Sequence, residues 1–159
     1  MKRRELFSSL ASSFNQEDVQ ERIIRPPYFQ DESLFLTSCS ECEGDCANAC
    51  EVDIIDIQKD KTPKLNFSNS GCTYCDDCAI ACPTEVLKVE YKKNIDAKIS
   101  INILKCLSWN QTMCFSCKDP CIDDAIEFLA MFRPQINENC TSCGFCMKVC
   151  PTNAIEIGE

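Results

Sequence analysis

Cys72-Thr73-Tyr74-Cys75-Asp76-Asp77-Cys78-Ala79-Ile80-Ala81-Cys82-Pro83 is the stretch on which the reading of this chain turns. Three cysteines spaced by two residues are followed by a fourth cysteine three residues on, and then a proline. The same pattern recurs at Cys140-Thr141-Ser142-Cys143-Gly144-Phe145-Cys146-Met147-Lys148-Val149-Cys150-Pro151. Outward from these lie two looser groups, Cys39, Cys42, Cys46 and Cys50, and Cys106, Cys114, Cys117 and Cys121. The four groups take in all 16 cysteines, and their starts at 39, 72, 106 and 140 are 33 or 34 residues apart. A fixed period of that length is an internal repeat.

The segment after each group repeats as well. Ile54-Ile55-Asp56-Ile57, Val86-Leu87-Lys88-Val89, Ala125-Ile126-Glu127-Phe128 and Ala154-Ile155-Glu156-Ile157 each read as a short strand with apolar positions on its packed face. Second short strands are expected at Pro63–Phe67, Ile99–Ile103 and Pro134–Asn137. The unit is a cysteine loop, a short helix ending near the fourth cysteine, a strand, a turn and a strand. One unit is too small to bury a core of its own, so two must share one, with metal centres contributing to folding.

Composition narrows the chemistry. The 159 residues include no histidine, which removes imidazole bases, Rieske centres and mixed Cys/His zinc sites. Four scattered glycines form no phosphate-cradling loop. The net charge of -9 is the wrong sign for a nucleic-acid binder. Apolar runs such as Phe128–Phe132 fall far short of the roughly 18 residues of a transmembrane helix, so no stable membrane insertion is expected. The start, Lys2-Arg3-Arg4-Glu5-Leu6-Phe7, looks like a twin-arginine signal, but it continues into the mostly polar Ser8–Asp18. Leu6, Leu10 and Phe14 suit a short amphipathic helix instead. A cytoplasmic, reducing location is therefore expected, and it favours thiolate–metal chemistry over disulfides.

Three thiolates from one loop wrap three corners of a [4Fe–4S] cubane, while the fourth cysteine of the group points away and serves the neighbouring cluster. Zinc, the alternative for any four cysteines, usually draws on two separated Cys-x-x-Cys knuckles. The crossed rule gives four ligand sets. Cys39, Cys42, Cys46 and Cys82 form the first. Cys72, Cys75 and Cys78 with Cys50 form the second. Cys106, Cys114 and Cys117 with Cys150 form the third, and Cys140, Cys143 and Cys146 with Cys121 the fourth. In the first group the extra residue of Glu43-Gly44-Asp45 is absorbed by a positive φ at Gly44. In the third, Leu107–Met113 stretches the first gap, and its Trp109 and Met113 are expected to shield the cluster. Four such clusters would add about −8 to the charge and favour a basic partner surface.

The fold these readings predict is α+β. Two tandem ferredoxin-like modules, 37–90 and 98–159, each hold two [4Fe–4S] clusters, behind a helical, proline-containing arm of residues 1–36. Finer details match a narrower group. The N-terminal Arg3-Arg4, the segment Ile24-Arg25-Pro26-Pro27-Tyr28 running through Asp31-Glu32-Ser33-Leu34-Phe35-Leu36-Thr37, and the Cys-x7-Cys-x2-Cys-x3-Cys third group together resemble the NapF-type ferredoxins of periplasmic nitrate reductase systems. The resemblance implies a cytoplasmic four-cluster protein that meets NapA, the molybdenum-containing catalytic subunit, before its export, and assists its iron–sulfur maturation. A plain electron carrier and a fixed subunit of a larger enzyme are the competing readings; an independent enzyme is not expected.

Overall fold

The backbone conformation of the cysteine loops organises the molecule, of which a computed structural model describes residues 22–158. The twin-arginine-like start and the Leu6/Leu10/Phe14 stripe lie outside the described residues.

Three one-turn helices sit inside cysteine groups: α2 (Asp45–Asn48), α3 (Asp77–Ile80) and α4 (Phe145–Lys148). Each is entered through a left-handed residue, Gly44, Asp76 or Gly144. Behind α3 and α4 stand Pro83 and Pro151, which have no N–H to continue a helix. The third group differs from expectation, because its third and fourth cysteines are joined by successive turns, Lys118 N–H to Phe115 C=O at 2.9 Å and Cys121 N–H to Lys118 C=O at 3.1 Å. Pro120, immediately before Cys121, is the reason: it lacks the donor and biases Asp119 away from helical geometry.

Among the described residues the strands pair in three two-stranded antiparallel sheets. β1 (Ile55–Ile57) and β2 (Pro63–Leu65) form a hairpin with Ile55 opposite Leu65. β4 (Ile126–Phe128) and β5 (Pro134–Ile136) repeat it with Ile126 opposite Ile136. β3 (Lys98–Ile101) joins the last strand, β6 (Ile155–Gly158), with Ile99 opposite Ile157 and Ile101 opposite Ile155. So the second half closes its outer pair from its two ends around an inner hairpin.

The first half shares this plan with a reduced outer pair. In place of the strand expected at Val86–Val89 there is a single antiparallel bridge between Phe29 and Leu87, then a tight turn at Val89–Tyr91. The partner segment explains this. Pro26 and Pro27 have no N–H, so the ladder cannot run back along them; their neighbourhood only accepts, from Lys88 N–H at Tyr28 C=O (2.8 Å) and Lys93 N–H at Pro27 C=O (2.9 Å). The described part of the arm, including helix α1 (Ser33–Ser38), is thereby built into the first module. Ile24, Tyr28, Phe29 and Phe35 share one buried core with Ile54, Leu65, Phe67, Val86 and Leu87. The core of the second half is much smaller, Ile99, Ile126 and Ile155 around Cys146.

Asparagine ends three strands in one way. Asn66, Asn102 and Asn137 each offer Oδ1 to an N–H two residues on (Ser68, Leu104, Asn139), while their amide nitrogens reach Asp56, Glu156 and Glu127 across the pair. These Asx turns release the chain from the sheet and send it into the next cysteine group.

Candidate metal centres

Each loop that carries thiols is bent by residues in the left-handed region. Between the first three cysteines of the second group these are Tyr74 (φ 55°) and Asp76 (φ 72°); in the fourth group they are Ser142 (φ 59°) and Gly144 (φ 86°) at the same positions. Gly44 (φ 84°) takes this role in the first group, and Ile57 lies where a Cβ there would be. Such bends turn backbone N–H groups inward. Tyr74 N–H points at Cys72 Sγ (3.4 Å), and Gly44 N–H at Cys42 Sγ (3.4 Å).

A second bend sits three residues after every fourth cysteine: Asp53 (φ 51°), Glu85 (φ 55°), Asp124 (φ 48°) and Asn153 (φ 49°). It brings the Ala125 N–H to Cys121 Sγ at 3.3 Å, Ala154 N–H to Cys150 Sγ at 3.2 Å and Leu87 N–H to Cys82 Sγ at 3.5 Å. Thr84 and Thr152 add hydroxyls at 3.5 and 3.9 Å from Cys82 and Cys150. Donors aimed at sulfur favour the thiolate and tune whatever metal it holds. The sequence reading passed over these residues, although the recurring Asp, Glu, Asp, Asn at one offset was a signal for them.

Three hollows gather the thiols across groups. Cys50 lines one with Cys72, Cys75 and Cys78, under Pro26, Pro27 and Tyr28. Cys150 lines another with Cys106, Cys114 and Cys117. A third holds Cys121 with Cys140, Cys143 and Cys146. In the remaining set, buried Cys39 and Cys46 both feel the charges of Cys82 and Cys42. Trp109 and Met113, expected to shield the third set, are not among the residues that line its hollow. The Trp109 Nε1–H is spent on the Pro134 C=O (3.2 Å), and Met113 is 64% exposed, whereas Leu107, Ile101 and Pro134 line that hollow.

Burial pushes the Cys46, Cys78 and Cys146 thiols up to about 12, and Cys72 and Cys117 to about 11, with neighbouring thiols adding to the rise. Cys150 moves the other way: burial raises it, but the Thr152 and Ala154 hydrogen bonds outweigh that and lower it. Arg25 is the residue of the first set that the sequence reading left without a role. The residue is 7% exposed, and its guanidinium is bonded to the Thr62 hydroxyl (2.8 Å) and Pro63 C=O (2.7 Å), paired with Glu32 (3.3 Å), and stacked on Phe35 at 4.9 Å. It opposes the upward shift of Cys39, placing a buried cation beside otherwise anionic ligands.

The donor set fits an iron–sulfur core. Every candidate ligand is a soft sulfur. Among the described residues no three Cys, Asp or Glu side chains converge on a point that one metal ion could fill, so the thiols surround hollows instead. Ser108 Oγ, two residues past Cys106, is buried with no partner among protein atoms.

Residues 38–86 match the 4Fe-4S dicluster domain, and residues 134–156 match the 4Fe-4S binding domain. With the thiol loops above, they define the molecule as a ferredoxin-type iron–sulfur protein that binds [4Fe–4S] clusters. The ferredoxin-type protein NapF of Escherichia coli K12 is 37% identical over 83% of this chain and 82% of its own length. That of Haemophilus influenzae is 32% identical over 96% and 89%. Ferredoxin-type protein NapG of Escherichia coli K12 is 30% identical over 80% of this chain and 65% of its own. The chain belongs to the NapF family of ferredoxin-type proteins. No helix among the described residues is long and apolar enough to cross a membrane.

Proposed function

We propose that this chain carries four [4Fe–4S] clusters on the four crossed cysteine sets, two in module 37–90 and two in module 98–159, with residues 1–36 as the arm. When bound, the clusters supply reversible one-electron storage. The chain's own part is to hold sixteen thiolates in four sets, to aim amide and hydroxyl donors at them, and to keep Arg25 beside the first set. Its role is that of a cytoplasmic accessory factor that meets the NapA precursor and assists its iron–sulfur assembly or reduction before export. It is not itself an enzyme. The observation that carries this reading is the likeness to NapF over more than four-fifths of both chains.

An electron relay between two redox enzymes is the second reading, and one observation favours it: the second and fourth sets touch across the two halves. Anaerobic co-purification of the tagged chain from its native cell separates the two. Recovery of a molybdoenzyme precursor still bearing its export signal supports maturation. Recovery of only a dehydrogenase or a quinol oxidase makes the protein a carrier.

A further inference from the structure

The two halves meet along a seam that runs through cysteine loops rather than through sheets. Cys72 donates its backbone N–H to the Cys143 C=O at 2.7 Å. Tyr74 donates its hydroxyl to the Thr141 C=O at 2.5 Å and accepts the Ile95 N–H at 3.1 Å. The Ser142 hydroxyl binds the Ala97 C=O. The fit leaves no room for a side chain at either glycine. A Cβ on Gly71 would lie 2.5 Å from the Phe145 nitrogen and 2.7 Å from the Cys143 oxygen, and one on Gly144 2.3 Å from the Phe67 ring. The facing loops are those of the second set and the fourth.

Inside each half the sets are joined covalently. Cys46 lies in α2 and Cys50 just past its end, four residues on, and they belong to the first and second sets; Cys78 in α3 and Cys82 past it repeat this in reverse. Cys117 with Cys121, and Cys146 with Cys150, link the third and fourth sets in the same way. We propose that the four sets form one linear series in the order first, second, fourth, third, with the Cys72–Cys143 contact as its central link and the first and third sets as its ends. The order rests on the four-cluster reading above, and it departs from chain order: the linker 83–105 connects the second group to the third, yet the seam joins the second set to the fourth. The Cys72–Cys143 bond ties the backbones of two ligand residues, one from each half, directly to one another.

The test uses the full chain, loaded anaerobically and reduced with dithionite. Iron is counted first, and fewer than about 16 atoms per chain overturns the four-cluster reading and the order with it. At about 16, electron paramagnetic resonance decides the order alone. Cysteine-to-serine variants leave two sets in each chain, removing the others through Cys42 and Cys46, Cys72 and Cys75, Cys114 and Cys117, or Cys140 and Cys143. The chain that keeps the second and fourth sets is expected to give a split, interacting spectrum. Chains that keep the first and fourth, the second and third, or the first and third are expected to give the sum of two isolated signals. Coupling between the second and third, or the first and fourth, as strong as that between the second and fourth overturns the order. If a two-set chain does not load, the three-set chains decide. Loss of the second or the fourth set must abolish coupling between the halves, and loss of the first or the third must leave it.

Discussion

Buried thiols with raised proton affinity set the pH behaviour of the metal-free chain. Cys46, Cys78 and Cys146 titrate near 12 against an ordinary value of 9.0, chiefly because burial penalises the thiolate. The folded metal-free chain therefore keeps protons that an unfolded chain gives up above about pH 9. Its stability is intact below that pH and falls as pH rises through about 12. The thiolate is the reactive form, so in the first half alkylation at neutral pH should label exposed Cys75 well before buried Cys46 and Cys78, and those two should catch up only in strong alkali. Iodoacetamide labelling mapped by mass checks this; equal labelling of all three at neutral pH would contradict it. The same protonation means that cluster uptake releases protons, and becomes harder in acid. Raised thiols were not legible in the sequence, since spacing says which cysteines are near one another but not how deeply they lie.

Short elements here depend on single residues at their ends. Gly144 combines φ 86° with a Phe67 ring carbon 2.3 Å from any Cβ, whereas Gly44, at φ 84°, faces the aliphatic Ile57 at 2.9 Å. Gly144→Ala should cost roughly 2–4 kcal/mol, left-handed strain plus overpacking against an aromatic ring. Gly44→Ala should cost about 1–2 kcal/mol, mostly strain. Thermal unfolding of the two loaded variants gives the order, and a larger loss at Gly44 would be evidence against the seam as a tight contact. The positive φ at Gly44 is shared by Asp76 and Gly144, each two residues before the third cysteine of its group, so it belongs to the helix entry rather than to the extra residue of the first loop. The missing helix of the third group could have been read, since Pro120 stands in the chain before Cys121. What could not be read was the collapse of the Val86–Val89 strand to one bridge, because that depends on its partner being Pro26-Pro27-Tyr28-Phe29.

At the scale of the molecule, the halves are unequal in what holds them. The first has a buried core enlarged by Ile24, Tyr28, Phe29 and Phe35; the second relies on Ile99, Ile126 and Ile155 around a cysteine. A half with so little apolar burial takes most of its folding free energy from metal. Stripping iron with a chelator should therefore abolish amide protection over 98–158 first and most completely, with residual protection around Ile54, Leu65 and Tyr28. Hydrogen exchange read by mass checks it, and simultaneous loss in both halves would show that the seam makes them one cooperative unit.

The amino-acid sequence by itself determined the period, the strands of the two hairpins and the grouping of the cysteines into four loops, because those depend on local spacing and local bond geometry. It also carried the family, through the arm segment and the third group. Only the tertiary structure decided which strands pair from end to end, that the arm completes the first core, and that the second and fourth sets meet. Those outcomes depend on contacts between residues dozens of positions apart, where the shape left between two packed halves selects the partner, and no local pattern encodes that shape.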